Sequence, residues 1–326
     1  MSAARGCIFI RDQPAGLRRR SRRLSTTTPP ETTMRFAEAL LSRQPWAGLL
    51  CLLAVICGLA LGHSLVVLQW SLTGGLSLVD TAISMSLGSL GIVLVWKGLK
   101  KPEAQATVMG YLGGNLIWVG YFEWTWHYFG HWLGLEPVMD GEIPILMPGL
   151  LMIQSTVLLV VTLLVFLGSN KDTRCRMFMW FHRNFRLRPG RMTAGYQRQY
   201  SRITALETVF LIWAIYLFAI FINDPRVIGY DSVTAMALTV AFVAWGLYLV
   251  NKLLRIRGLG ATFRYAIPTA NILWLPIEAF SRWGLYPEIW IKPLEYGPPM
   301  LLILALFALI AIAALRSDGK PQAAIA

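Results

Sequence analysis

Charge is scarce in this chain. Only 14% of its 326 residues are Asp, Glu, Lys or Arg, against roughly 25% in an ordinary soluble domain, which excludes a soluble enzyme of usual composition. Acid is scarcer than base, with 17 carboxylates to 30 Lys and Arg. Histidine occurs at His63, His127, His131 and His182 and nowhere in the remaining 144 residues. Cysteine occurs at Cys7, Cys51, Cys57 and Cys175 without a CxxC pair, which excludes a disulfide framework and a cysteine-zinc module. There is no HExxH, no GxSxG, no phosphate-cradling glycine loop and no histidine-rich hydroxylase pattern. Residues 1–33 are rich in Arg, Ser, Thr and Pro but have no apolar core, so they are not a secretory signal peptide. They read as a disordered cytoplasmic tail, with a transit peptide, or a true start at Met34, as the alternatives.

What the chain does have is apolar surface. Hydrophobic residues make up 56% of it and mean hydropathy is +0.53, the composition of a polytopic membrane protein. A helix needs about 20 residues to cross the hydrocarbon core. Segments of that kind lie near Trp46–Leu68, Leu76–Trp96, Ala106–Leu133 and Ile143–Leu167, then Ile203–Ile222, Ser232–Leu253, Thr262–Trp283 and Pro298–Leu315. The expected fold is an all-α membrane protein, an eight-span helical bundle from two parallel four-helix repeats. Its parts are a basic tail (1–45), a first repeat (46–169), a basic linker (170–202), a second repeat (203–316) and a short tail (317–326).

The net charge of +13 is distributed by side rather than by domain. Arg18–Arg23, Lys97–Lys101, Lys171–Arg202, Lys252–Arg257 and Arg316–Lys320 fall in alternate loops. Glu136, Asp140, Glu142, Asp224, Asp231, Glu288 and Glu295 fall in the others. The positive-inside rule then puts both termini in the cytoplasm, and the setting reads as a bacterial cytoplasmic (inner) membrane. Lipid topology accounts for the basic charge, and no nucleic-acid partner is implied. In the linker, Met177–Phe185 reads as an amphipathic helix on anionic lipid headgroups, with His182 an interfacial residue.

The halves also resemble each other. Asn115-Leu-Ile-Trp118 recurs 156 residues later as Asn271-Ile-Leu-Trp274, and each is followed by an acid, Glu123 or Glu278. Asp80-Thr-Ala is echoed by Asp231-Ser-Val-Thr-Ala, and Pro148 by Pro298. Four spans per half keep the same orientation, so the repeat would be parallel. Equivalent halves would set the third span against the first as the seventh sits against the fifth.

Polar residues inside such spans are expensive, about 2.5–3.5 kcal/mol for a charge at the centre on insertion scales, and so point to a site. Asn115, Glu123, His127 and His131 are separated by multiples of four and form one stripe on a helix. Glu123, His127 and His131, completed by His63 or Asp80, are of the donor types that hold copper, iron or zinc. Haem held by His63 and His127 is a second cofactor reading. A hydrogen-bonded polar cluster is the plainer reading, and an aromatic belt of Trp124, Trp126, Tyr128 and Trp132 at the interface the plainest. In the second half Glu278 and Arg282, one turn apart, read as an intrahelical ion pair, with Asn271 as a further polar residue inside the membrane. The leading functional expectation is a metal-dependent redox or hydroxylase component acting on a lipid-soluble substrate such as a quinone or hydrocarbon. The rivals are a proton- or cation-coupled transporter using Asp80, Glu123 and Glu278, and a scaffold or assembly subunit.

Overall fold

The computed structural model describes residues 29–141, 143–157, 171–172 and 176–317. Cys7, Arg18–Arg23, Glu142, the end of the fourth expected span, Cys175 and the residues after 317 lie outside the described residues. The described chain is helical apart from one small hairpin. Its elements are α1 (Pro29–Leu41), α2 (Trp46–Thr73), α3 (Leu78–Gly98), α4 (Glu103–Ile117), a π-helical turn (Trp118–Glu123), α5 (Trp124–Trp132), β1 (Val138–Asp140), β2 (Ile143–Leu146) and α6 (Pro148–Ser155). There follow α7 (Arg176–Asn184), α8 (Tyr200–Asn223), α9 (Val233–Leu253), α10 (Leu259–Arg282) and α11 (Gly297–Arg316).

Among the described residues, five helices are long and apolar enough to cross a membrane: α2, α3, α8, α9 and α11. The run α4–α5 and the helix α10 are not among them. The π-turn divides the first into α-helical pieces of 15 and 9 residues, each too short. Helix α10 packs against α2, α4, α8 and α9, and its buried side chains can be polar. On α10, Thr262, Thr269, Asn271 and Ser281 are buried together with Phe263, Ile267, Trp274 and Pro276. Pro268 and Pro276 lie inside this helix, where the carbonyls they free are tolerable because other helices surround them.

Helix ends follow local chemistry. Ser77 Oγ accepts the Asp80 N–H at 3.1 Å to cap α3, and Ser232 Oγ accepts the Ala235 N–H at 3.0 Å to cap α9. Gly74, at φ +75°, closes α2 in the left-handed conformation that glycine adopts without strain. Two sequence expectations are corrected here. Residues 29–41, with 29–33 in the stretch that reads as disordered and the rest in the expected basic tail, form α1, which buries Ala37 and Leu41 against α2 and α11. The fourth segment does not begin as a helix at Ile143. Residues 143–146 pair antiparallel with β1, and the helix starts at Pro148, whose missing N–H costs nothing in a first turn.

The helices pair in a crossed pattern. α3 packs on α4 and α9 on α10, while α4 packs on α8 and α10 on α2; α6 meets α8, and α11 meets α2. The pairing expected within each half, third span on first and seventh on fifth, is thus not the dominant one. Helix α4 touches α2 through Tyr111, whose hydroxyl donates to Val55 O at 3.3 Å. Glycine makes the close crossings possible: a Cβ on Gly91 would lie 2.6 Å from Gly113 O, and one on Gly113 would lie 2.7 Å from Gly91 O.

Candidate functional site

Where α2, α4, the π-turn, α8 and α10 meet, a small cavity of about 40 Å³ lies inside the bundle. Its polar lining comes from both halves of the chain: His63, Asn115 and Glu123 from the first, Tyr216, Asn271 and Glu278 from the second. His63 Nε2 lies 3.1 Å from Tyr216 Oη and 3.5 Å from Glu278 Oε1. Its other ring nitrogen, Nδ1, is 2.9 Å from Leu59 O, which holds the ring to its own helix. Side chains of His63 and Glu278 retain 21% and 18% of their exposure, so the pair is sheltered but not sealed.

Each carboxylate is steadied by an indole. Trp274 Nε1 donates to Glu278 Oε1 at 2.6 Å, and Trp118 Nε1 donates to Glu123 Oε2 at 3.1 Å. The rings cross over. The Trp274 ring stacks on His63 at 5.5 Å, and Trp118 stacks on Tyr216 at 5.5 Å with planes 7° apart. Asn115 and Asn271 match as well, each donating its Nδ2 to the carbonyl four residues earlier, at 2.8 Å and 2.9 Å. His63 and Tyr216 are 153 residues apart, close to the offset of the other pairs.

The π-turn explains a small irregularity in that offset. Five residues separate Trp118 from Glu123, but four separate Trp274 from Glu278. An α-helix brings the fourth residue round under the indole, whereas a π-turn, with its i→i+5 bonds, brings the fifth. The extra residue in the first half is therefore absorbed between Trp118 and Glu123, and both Trp–Glu hydrogen bonds survive.

The expected metal-ligand set does not converge. Asp80, fully buried, accepts from Gln69 Nε2 at 2.7 Å, Trp124 Nε1 at 3.0 Å and Thr73 Oγ1 at 3.2 Å. The His127 ring sits edge-on to Trp70 at 4.9 Å, and exposed His131 lies against the same indole at 6.0 Å. His63 faces Tyr216 and Glu278, and Glu123 faces Trp118. Among the described residues, no group of three or more His, Cys, Asp or Glu is arranged to hold a metal ion. His63 and His127 line different cavities, so a haem held between them does not fit this arrangement. The stripe is instead divided: Asn115 and Glu123 line the central cavity, and Glu123 and His127 line a smaller one of about 10 Å³ beside Gln69 and Ser84.

Arg282 is likewise not paired as expected. Glu278 points to His63, and Arg282 Nε lies 3.9 Å from Glu288 Oε1 in the following loop, where burial pushes the Glu288 carboxyl up. At the other end of α10, Arg264 donates to Glu103 at 2.5 Å and to Thr107 at 2.8 Å on α4 and covers the Tyr200 ring of α8 at 4.5 Å. An ion pair thus stands at each end of the helix that carries Glu278.

Known proteins offer no name for this arrangement. No family model, no curated protein and no solved structure matches the chain.

Beside the central cavity runs an apolar groove of about 680 Å³ between α2, α4 and α11. Gly62, Asn115 and Val119 line both spaces, so the groove and the cavity adjoin there. The sequence reading missed Tyr216, Trp118 and Trp274 as members of the site. The signal for them was the resemblance between the halves: His63 and Tyr216 are 153 residues apart, within the 150–156-residue spread of the other matched pairs.

Proposed function

We propose that the chain is a proton-coupled membrane carrier of a lipid-soluble solute, built as eight spans from two parallel four-helix repeats. In this reading both termini face the cytoplasm of a bacterial cell, and α7 lies on the anionic headgroups of the inner leaflet. The observation that carries it is the His63–Tyr216–Glu278 contact, with Glu123 in the same cavity, at the junction of the two halves. Groups able to exchange protons at a repeat interface inside the membrane are what a coupled carrier needs. The ion pairs Glu103–Arg264 and Arg282–Glu288 support the same reading, because a carrier must open one end of its pathway while closing the other. The divided ligand set gives no comparable support to the metal-dependent redox reading, and the hydrogen-bonded interior is more than a scaffold needs.

Access tests the proposal. With Cys7, Cys51, Cys57 and Cys175 replaced by alanine, Ala219→Cys puts a thiol on the cavity wall. A membrane-impermeant maleimide should label it from either side of a reconstituted vesicle, with the favoured side shifting with pH. Labelling from neither side, together with near-stoichiometric metal in chelator-free protein, would replace the carrier by the metal-dependent redox component.

A further inference from the structure

The cavity and the groove together describe a ligand. Glu123 and Glu278 line the cavity, and neither Lys nor Arg does. Its aromatic walls are Trp118, Tyr216 and Trp274. A carboxylate pair among aromatic rings, with no basic side chain to neutralise it, suits a cation. The groove is walled by Leu61, Leu65, Leu112, Leu116 and Phe307, and its rim residues Leu301 and Leu304 are 67% and 48% exposed. It accepts an alkyl chain and nothing charged.

Gly62 stands where the two spaces join. A Cβ built there meets no atom within 4 Å, so the helix is open at this point rather than tightly packed. We infer that the carried solute is a lipophilic cation, an amine or quaternary ammonium whose head sits between Glu123 and Glu278 and whose chain leaves past Gly62 into the apolar groove.

This inference rests on the carrier reading and names its substrate class. Head and proton compete for the same carboxylates, so binding should release protons and weaken as pH falls. The groups facing Glu278 are His63 on α2, Tyr216 on α8 and Glu123 at the end of the π-turn, with Arg282, Tyr286 and Glu288 toward the outer loop. Arg282 is held by Glu288 and does not line the cavity, which leaves the carboxylates to the ligand.

The test uses the full chain in nanodiscs of zwitterionic lipid, with dodecyltrimethylammonium, tetramethylammonium, dodecanoate and dodecanol as probes. Dodecyltrimethylammonium should bind and release protons, and tetramethylammonium should bind at least tenfold more weakly. Glu278→Gln should weaken binding at least tenfold and cut the proton release. Gly62→Phe should exclude the long-chain cation while keeping the native thermal midpoint, which guards against misfolding. If dodecanoate or dodecanol binds better than the cation, the substrate class is wrong, although two-sided labelling at residue 219 would still uphold a carrier. If no probe binds, or if Gly62→Phe binds the cation unchanged, the inference falls.

Discussion

Residue by residue, the interior of this protein is arranged around acceptors that have found donors. Glu278 holds the Trp274 indole N–H at 2.6 Å, and a hydrogen bond to a charged group is worth about 1.5–3 kcal/mol. Trp274→Phe keeps the ring stacked on His63 but removes the donor. Denaturant unfolding in micelles should show a loss of about 1.5–3 kcal/mol, whereas an unchanged midpoint would mean that the carboxylate has no need of the indole. Asp224, buried after the end of α8, is clamped by Arg226, whose Nη2 and Nε donate to it at 2.6 Å and 2.9 Å. Arg226 thereby holds the Asp224 carboxyl below the usual carboxylate range. A depressed folded value stabilises above the unfolded value, about 3.9 for Asp, and the contribution is lost as pH falls through the folded one. Between neutral pH and pH 3, Asp224→Asn should therefore show a shallower loss of stability than the native protein. Equal slopes would remove the pair from the account of acid sensitivity. At this scale the sequence was half legible. The cost of burying Glu123 and His63 marked them as unusual, but not the direction in which each would turn. Histidine suggested metal, whereas the nearest groups to His63 are a phenol and a carboxylate from the other half.

Single helices show how one extra residue is accommodated. The π-turn lets Trp118 reach Glu123 over five residues where Trp274 reaches Glu278 over four. Removing Tyr121, whose hydroxyl lies 2.8 Å from Ser89 Oγ at a half-buried edge, should convert the turn to α-helix and leave α5 in phase. Removing Leu112 from regular α4 should instead rotate every later residue by about 100°. Thermal unfolding should thus find the Tyr121 deletion folded and the Leu112 deletion destabilised or absent. Equal damage from both would mean that the π-turn is not where the extra residue is stored. The spacing difference was already visible in the sequence, but the stripe was read with uniform α-helical spacing and so ran through the turn unbroken. Apolar length located α2, α3, α8, α9 and α11 well, because lipid-facing helices must be apolar all along. It described α10 and the start of the fourth segment less well: a protein-facing helix is free to be polar, and Pro144, tolerated in a two-stranded edge, and Pro148, suited to a first helical turn, interrupt a continuous span.

For the whole molecule, the proposed orientation follows from basic and acidic loops alternating along the chain. Reporter fusions after Asp140 and after Gly190 should report opposite compartments, and agreement between them would reject the eight-span arrangement. The crossed pairing of α4 with α8 and α10 with α2 brings the two halves together around one cavity. No local pattern in the sequence could show this, because a repeat fixes equivalence between halves but not which half supplies a helix's neighbour. That junction makes one claim testable above the others, namely that Glu123 and Glu278 work as a pair. Proteoliposomes with a pH-sensitive dye inside should be given whichever of dodecyltrimethylammonium, dodecanoate and dodecanol binds best. Solute addition should move protons in the native protein, and the movement should be lost in both Glu278→Gln and Glu123→Gln. Proton movement that persists in either variant, or that the native protein never shows, would contradict the coupled site.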